Sequence, residues 1–419
     1  MNIPKLRQQK TIKKCHGVSW EDNYAWIHQK NILEVLKDPA KLNSEVRQYL
    51  EKNNKYTEHH LKDTKELQKK LFEEIKGRIK LDDESLPYTD KKYIYWTKTT
   101  KKTNYAIKLR RKIGSNEIEE YWSGEKERKK LNAEYFGIGD LEVSNNDEML
   151  AYSLDLKGSE YFTIYVRKIS DNKIISDKIH ETSGSVTWSL DDKYIFYSKL
   201  DEHHRPRKIY RHQIGTKTKD DQLIYEEKDQ GFTCAISMSS DEKYFFISTS
   251  DHTTSEIYFF DVNDLNPKLK LFRKRQKEIR YSVDSWKENF FIHTNLYAED
   301  FKICICKHGD INNWQDYIPA TKGVLIGGFD LLNEWMVRSE LRDALIKLYV
   351  RNLKTDKEEE LLITNEKVIT PGASLMQKNR NTNKLYIGYN SPKTPGKSYI
   401  YDKRVSQNIF LATDQEFLV

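Results

Sequence analysis

The chain has 419 residues, with 71 Lys and Arg against 64 Asp and Glu for a net charge of +7, and it is 37% hydrophobic and 12% aromatic. That apolar content excludes disorder throughout, and no stretch approaches the ~18 consecutive apolar residues of a membrane span. With only 17 Gly and 9 Pro, below the usual ~7% and ~5% of residues, the composition reads as drift toward Lys, Ile, Asn and Tyr. The positive charge is then an inflated solvated surface, and no nucleic-acid partner is expected.

Four cysteines, Cys15, Cys234, Cys304 and Cys306, are too few and too scattered for a disulfide framework. The opening MNIPKLRQQKTIKKC has basic residues but no apolar stretch after them, so no secretory signal is read there. The expectation is a chain of the reducing cytoplasm, with no membrane partner.

Residues 1–80 are expected to form a helical N-terminal arm. Val46, Tyr49, Leu50 and Asn53 follow the spacing of one helix face. Leu67, Leu71, Phe72, Ile75 and Ile79 continue a one-sided apolar stripe. The other faces are dense in Lys and Glu, so each helix needs a surface on which to lay its stripe.

From about Pro87 the pattern changes to short aromatic and β-branched runs, each preceded by a polar turn. The first strand residues after these turns are Tyr93, Met149, Tyr194, Tyr244, Phe290, Trp335 and Leu385, spaced by 56, 45, 50, 46, 45 and 50. A near-constant period with several strands per unit is the signature of radial repetition. The predicted fold is mainly β, a seven-bladed β-propeller over 81–419 preceded by an α-helical N-terminal arm.

Candidate chemistry is sparse. An acyl-transfer serine on a strand-to-helix elbow needs glycine on both sides, G-x-S-x-G. Ser19, Ser374 and Ser398 follow Gly17, Gly372 and Gly396, but Glu21, Met376 and Ile400 stand where the second glycine belongs. Among eleven histidines, His212 falls in a predicted strand and His203 and His204 in a polar turn, with no nucleophile to pair with them. Cys304, Cys306 and His308 could share a face as three metal ligands, yet no fourth ligand is evident and small core fillers are the better reading. The basic run Arg273, Lys274, Arg275, Lys277 and Arg280 lacks interleaved stacking aromatics, and Gly137-Ile138-Gly139 does not extend to a phosphate loop. No catalytic, cofactor-binding or metal residue is assigned.

Several segments nevertheless carry a resemblance. His16-Gly17 with Asp22-Asn23-Tyr24 and Trp26 opens it, and EVRQYLEKNNKY, LFEEIKGRI and LPY continue it. The most specific stretch runs from Trp188 through Arg205-Pro206, Arg211-His212 and Gly215-Thr216 to SDHTTSE, followed by YSVDSW, HTNLYAEDF and NSPKTPGKSYIYD. In this order they resemble the prolyl oligopeptidase family, its oligopeptidase B branch in particular, with Ser285 and Asp300 as departures.

The resemblance implies a helical arm, a seven-bladed propeller that restricts large substrates, and a C-terminal α/β-hydrolase bearing Ser, Asp and His. It also implies cleavage of short peptides after basic residues. Val419 falls about where such a propeller would hand over to the hydrolase. The expectation is therefore the propeller half of a serine peptidase, inactive alone, or the regulatory subunit of a split enzyme whose hydrolase docks in trans. In the family the arm lies against the hydrolase, so Leu71, Phe72 and Ile75 are expected to stand exposed for a hydrolase or peptide partner.

Overall fold

Three of the seven repeated polar turns share one construction. In Ser144–Met149, Ser189–Tyr194 and Ser239–Tyr244 the serine Oγ accepts the backbone N–H that opens the next strand, at 2.9, 3.0 and 3.0 Å. The same hydroxyl donates to Asn146, Asp191 or Asp241 two residues on. Asp147, Asp192 and Glu242 then take the left-handed conformation, with φ of 68°, 58° and 57°, which reverses the chain. The serine supplies the bond that a tight turn otherwise leaves unmade.

A computed structural model describes residues 1–264, 266–374, 380–394, 396–402 and 411–413. Its strands form antiparallel sheets in chain order, as a β-propeller requires. The first, around Tyr93–Thr99, has five strands. Four four-stranded sheets begin at Thr233–Met238, Tyr281–Trp286, Val324–Leu332 and Thr370–Ser374. Between these lies one sheet of seven strands, from Gly137–Val143 to Gln222–Glu226.

Among the described residues there are thus five separate blade-like sheets and one long one, where the spacing predicted seven separate units. The repeats at Met149 and Tyr194 fall in the same sheet because Ile179–Trp188 pairs on both sides, with Phe162–Lys168 and with Tyr194–Leu200. Its register shifts between Thr182 and Val186. Gly184 sits at that shift with φ +96°, where an added Cβ would lie 2.9 Å from the Phe162 ring. The predicted limit at residue 419 lies outside the described residues.

The arm is less helical than expected. Thr11–Cys15 and Val18–Asp22 form a hairpin, joined by His16 and Gly17 at φ 48° and 78°, a two-residue turn with both residues left-handed. Helix α1 (Ile32–Lys37) is short. The two periodic stretches are helices α2 (Ser44–Leu61) and α3 (Lys65–Gly77). Asn43 caps α2, its side chain accepting from the amides of Glu45 and Val46, as unpaired N-terminal amides demand.

Hydrogen bonds join each sheet to the next. Tyr95 Oη donates to Asp147 at 2.8 Å. Within the seven-stranded sheet, the amides of Asn145 and Asn146 donate to Asp192 at 2.6 and 2.7 Å, joining its two repeats. Ser198 Oγ donates to the Cys234 carbonyl, and Ser240 to Asp284. Trp286 Nε1 donates to the Asn333 carbonyl and Asn333 Nδ2 to Asn383. Tyr386 Oη closes the circle on the Pro87 carbonyl at 2.9 Å. Between the sheets lie apolar clusters, such as Phe246, Phe259, Phe272, Phe290 and Ile292 with Cys304 and Cys306. Each fully buried large side chain there contributes about 1.5–3 kcal/mol.

Two outcomes follow. Asp192→Ala strands the amide donors of Asn145 and Asn146 and should destabilise the ring by about 1–3 kcal/mol; an unchanged melting midpoint would show that the turn-to-turn contact is idle. Burial pushes the Cys234 and Cys304 thiols up to about 12 and Cys306 up to about 11, whereas Cys15 is exposed. At pH 8 the three buried thiolates are depleted roughly a hundredfold or more. A disulfide reagent should therefore find one fast thiol in the native chain and all four in denaturant.

Candidate functional site

The arm touches the ring chiefly through Lys37 at the end of α1. Its ammonium pairs with Glu181 and stands 4.5 Å over the Tyr161 ring, while Lys157 Nζ donates to the Lys37 carbonyl at 2.9 Å. The shared hydrogen bond raises the Lys37 pKa and lowers that of Glu181. Lys37, Tyr161 and Glu181 border a cleft of about 560 Å³ between α1 and the ring, which Lys199, Asp201 and Tyr210 also line.

Beyond that anchor the apolar stripe of the arm is uncovered. Leu67, Leu71, Phe72, Ile75 and Ile79 are between 46% and 62% exposed, and α3 buries none of its residues. Of the 29 large hydrophobic residues exposed among the described residues, 16 lie in the first 81 positions. A patch of this kind on a water-soluble surface marks an interaction face.

The candidates noted in the sequence are scattered. Ser19 lies in the exposed arm hairpin, Ser398 in the strand Lys397–Asp402, and Ser374 ends a strand, its side chain outside the described residues, as are Leu375 and Met376. Ser19 and Ser398 lie within strands and so do not stand on a strand-to-helix elbow. Gly139 keeps its strand close to its neighbour, since a Cβ would meet Ser153 Oγ at 2.3 Å. Cys304 and Cys306 sit in the core, with Cys304 Sγ donating to Asp316 at 3.4 Å. His308 turns to Ser285 Oγ at 2.9 Å and packs on Phe290. The described residues hold no group of three or more His, Cys, Asp or Glu that could bind a metal ion. In the basic run, Arg275 is spent on Glu227 and Glu256 at 2.7 and 3.0 Å, and Arg273 lies over Trp314.

One grouping was not legible beforehand. His212 Nδ1 meets Asp221 Oδ1 at 2.6 Å and its Nε2 meets Ser176 Oγ at 2.5 Å, the order of a Ser-His-Asp triad. The surroundings fit a clamp better than a nucleophile. His212 is fully buried, Tyr197 Oη donates to the other Asp221 oxygen, and the Gly215 amide points at Ser176 Oγ itself. An oxyanion site needs donors aimed past the nucleophile. The three residues lie 36 and 9 positions apart, so only strand pairing could have revealed them.

Comparison with known proteins agrees with this geometry. Residues 4–409 match the family model described as prolyl oligopeptidase, N-terminal beta-propeller domain. "Protease 2" of Moraxella lacunata is 26% identical over 405 residues, covering 95% of this chain and 56% of that protein. "Dipeptidyl aminopeptidase BI" of Pseudoxanthomonas mexicana is 28% identical over 407 residues, covering 93% and 54%. The chain thus spans little more than half the length of these curated relatives. Among solved structures, oligopeptidase B from Trypanosoma brucei with covalently bound antipain superposes with a TM-score of 0.89 at 23% identity, covering 98% of this chain and 60% of that one. Oligopeptidase B from Leishmania major gives 0.88 at 20% identity, covering 99% and 61%. With a match across nearly its whole length, a ring of antiparallel sheets and an uncovered arm, the chain belongs to the prolyl oligopeptidase family through that family's N-terminal propeller domain.

Proposed function

We propose that this chain is the access-restricting half of an oligopeptidase-B-like serine peptidase, inactive by itself, and that it works on short peptides cleaved after basic residues by a hydrolase unit docked on the arm. The observation that carries this reading is the stripe of α3. Its four large apolar side chains, Leu67, Leu71, Phe72 and Ile75, with Ile79 just beyond the helix, have no covering surface among the described residues, and burying each contributes about 1.5–3 kcal/mol. The relatives point to the kind of occupant, because nearly half of their length lies outside the match to this chain.

In this reading residues 1–80 are the arm and 81–419 the propeller, with seven blades. The seven-stranded sheet counts as two blades joined at Gly184. In the strand Ile179–Trp188, the N-terminal residues Ile179 and Thr182 pair with Ile164 and Phe162, while Val186 to Trp188 beyond the glycine pair with Tyr197 to Ile195. A ring of seven blades leaves a narrow axis, which admits a peptide strand and excludes a folded protein.

The purified chain should take no label from a fluorophosphonate that marks active serine hydrolases, and it should retain a labelled α/β-hydrolase when mixed with extract of the cells that make it. Phe72→Glu with Ile75→Glu should abolish that retention. Labelling of the chain itself, at Ser176 or elsewhere, would overturn the claim of inactivity, and equal retention by the double variant would remove the stripe as the docking face. The same double variant should bind less of a hydrophobic dye than the parent chain; unchanged dye fluorescence would mean that the stripe is covered in solution.

A further inference from the structure

A second cleft, of about 450 Å³, opens where three neighbouring sheets begin, lined among others by Ser248, Ser250, Arg280, Ser282, Phe301 and Leu325. It lies on the arm's side of the ring. Lys157, Tyr161 and Asp201, beside the Lys37 anchor, follow the second strand of their repeats, as Asp251 of this cleft does.

Arg280 is the unusual member. Its backbone is fixed, the amide donating to Asn295 Oδ1 at 2.7 Å and the carbonyl accepting from Asn295 N and Thr294 Oγ1. The guanidinium rests 5.8 Å from the Phe301 ring centroid and pairs with no carboxylate among the described residues, whereas nearby Arg275 holds two. Phe301 is itself stacked on His293 at 4.6 Å. His293 is anchored to the Ile326 carbonyl and kept neutral by burial, which lowers its pKa, so no second cation competes there. The one acid in the lining, Asp251, is engaged by the amides of Thr253 and Thr254 at 2.7 and 2.6 Å.

The walls add hydroxyls and strain. The Ser248, Ser250 and Ser282 hydroxyls have no hydrogen-bond partner among the described residues. The adjoining loop holds Tyr297 and Phe301 at φ 55° and 63°, costly conformations for aromatic residues that concentrate at binding sites. Tyr297 is 91% exposed.

We propose that this cleft is a carboxylate subsite for a peptide, in which Arg280 takes the carboxylate through its planar fork, the serine hydroxyls complete the acceptor's bonds, and Phe301 and Leu325 support the adjoining residue. A guanidinium on a fixed backbone, without a carboxylate partner among the described residues and beside an aromatic wall, presents the planar fork that takes a carboxylate bidentately. The proposal rests on the reading above only in taking a peptide as the ligand. The carboxylate could belong to a chain terminus or to an Asp or Glu side chain. A terminus is favoured by the setting, because an anchor for chain ends selects short substrates.

The test is calorimetric titration of the full chain with acetylated pentapeptides of Ala and Phe carrying a free carboxylate, a terminal amide, or a terminal amide with an internal Glu. The free acid should bind about tenfold or more tighter than the amide. The Glu peptide shows whether a side chain can substitute for the terminus. Arg280→Ala should erase the difference and Arg280→Lys restore part of it, with Arg280→Gln as a further variant should the alanine protein melt early. Equal binding of acid and amide, or discrimination that survives in Arg280→Ala, overturns the proposal. Because the chain is titrated alone, failure of hydrolase docking leaves this result intact, and failure here leaves the docking result intact.

Discussion

Closure of the ring is the constraint on which the rest depends. A four-stranded sheet cannot bury both its faces alone, so each sheet here is stable only between two neighbours, and the last must meet the first. The Tyr386 hydroxyl on the Pro87 carbonyl is that meeting point. The turn-to-turn bonds at Asp147, Asp192 and Asp284 repeat the joint around the circle. Because the turns are held on one side, the cleft-bearing ends of the strands and the arm are presented together on the other.

Much of this architecture was legible because the turn chemistry repeats. A polar turn followed by an aromatic or apolar strand opener is a local rule that needs no knowledge of the fold. The two helices were legible for a similar reason, their stripes being long and one-sided. The merging of two repeats into one sheet was not, since it depends on how both edges of Ile179–Trp188 pair around Gly184. The arm hairpin was missed because its signal is only His16-Gly17 between short polar strands, overshadowed by the helical pattern that follows.

The site was harder to read than the fold. Charge patterning suggested a single basic run, yet its members have separate fates: Arg275 is locked between two glutamates, Arg273 covers Trp314, and Arg280 lies by Phe301 with no carboxylate partner among the described residues. Nothing in their spacing separates them. The His212 clamp is the same lesson from the opposite side, a Ser-His-Asp order whose burial and saturated bonds suit fastening rather than chemistry.

The bond between Tyr386 and Pro87 joins residues 299 positions apart, and this has a kinetic meaning. Closing so long a loop costs entropy that no local contact repays, and folds dominated by distant pairings assemble slowly. During synthesis the first sheet must wait, with one flank open, until Tyr386 has emerged. The newborn protein therefore passes through a stage with an exposed sheet flank at each end of the growing arc, when it is most vulnerable to proteases and to pairing with another copy.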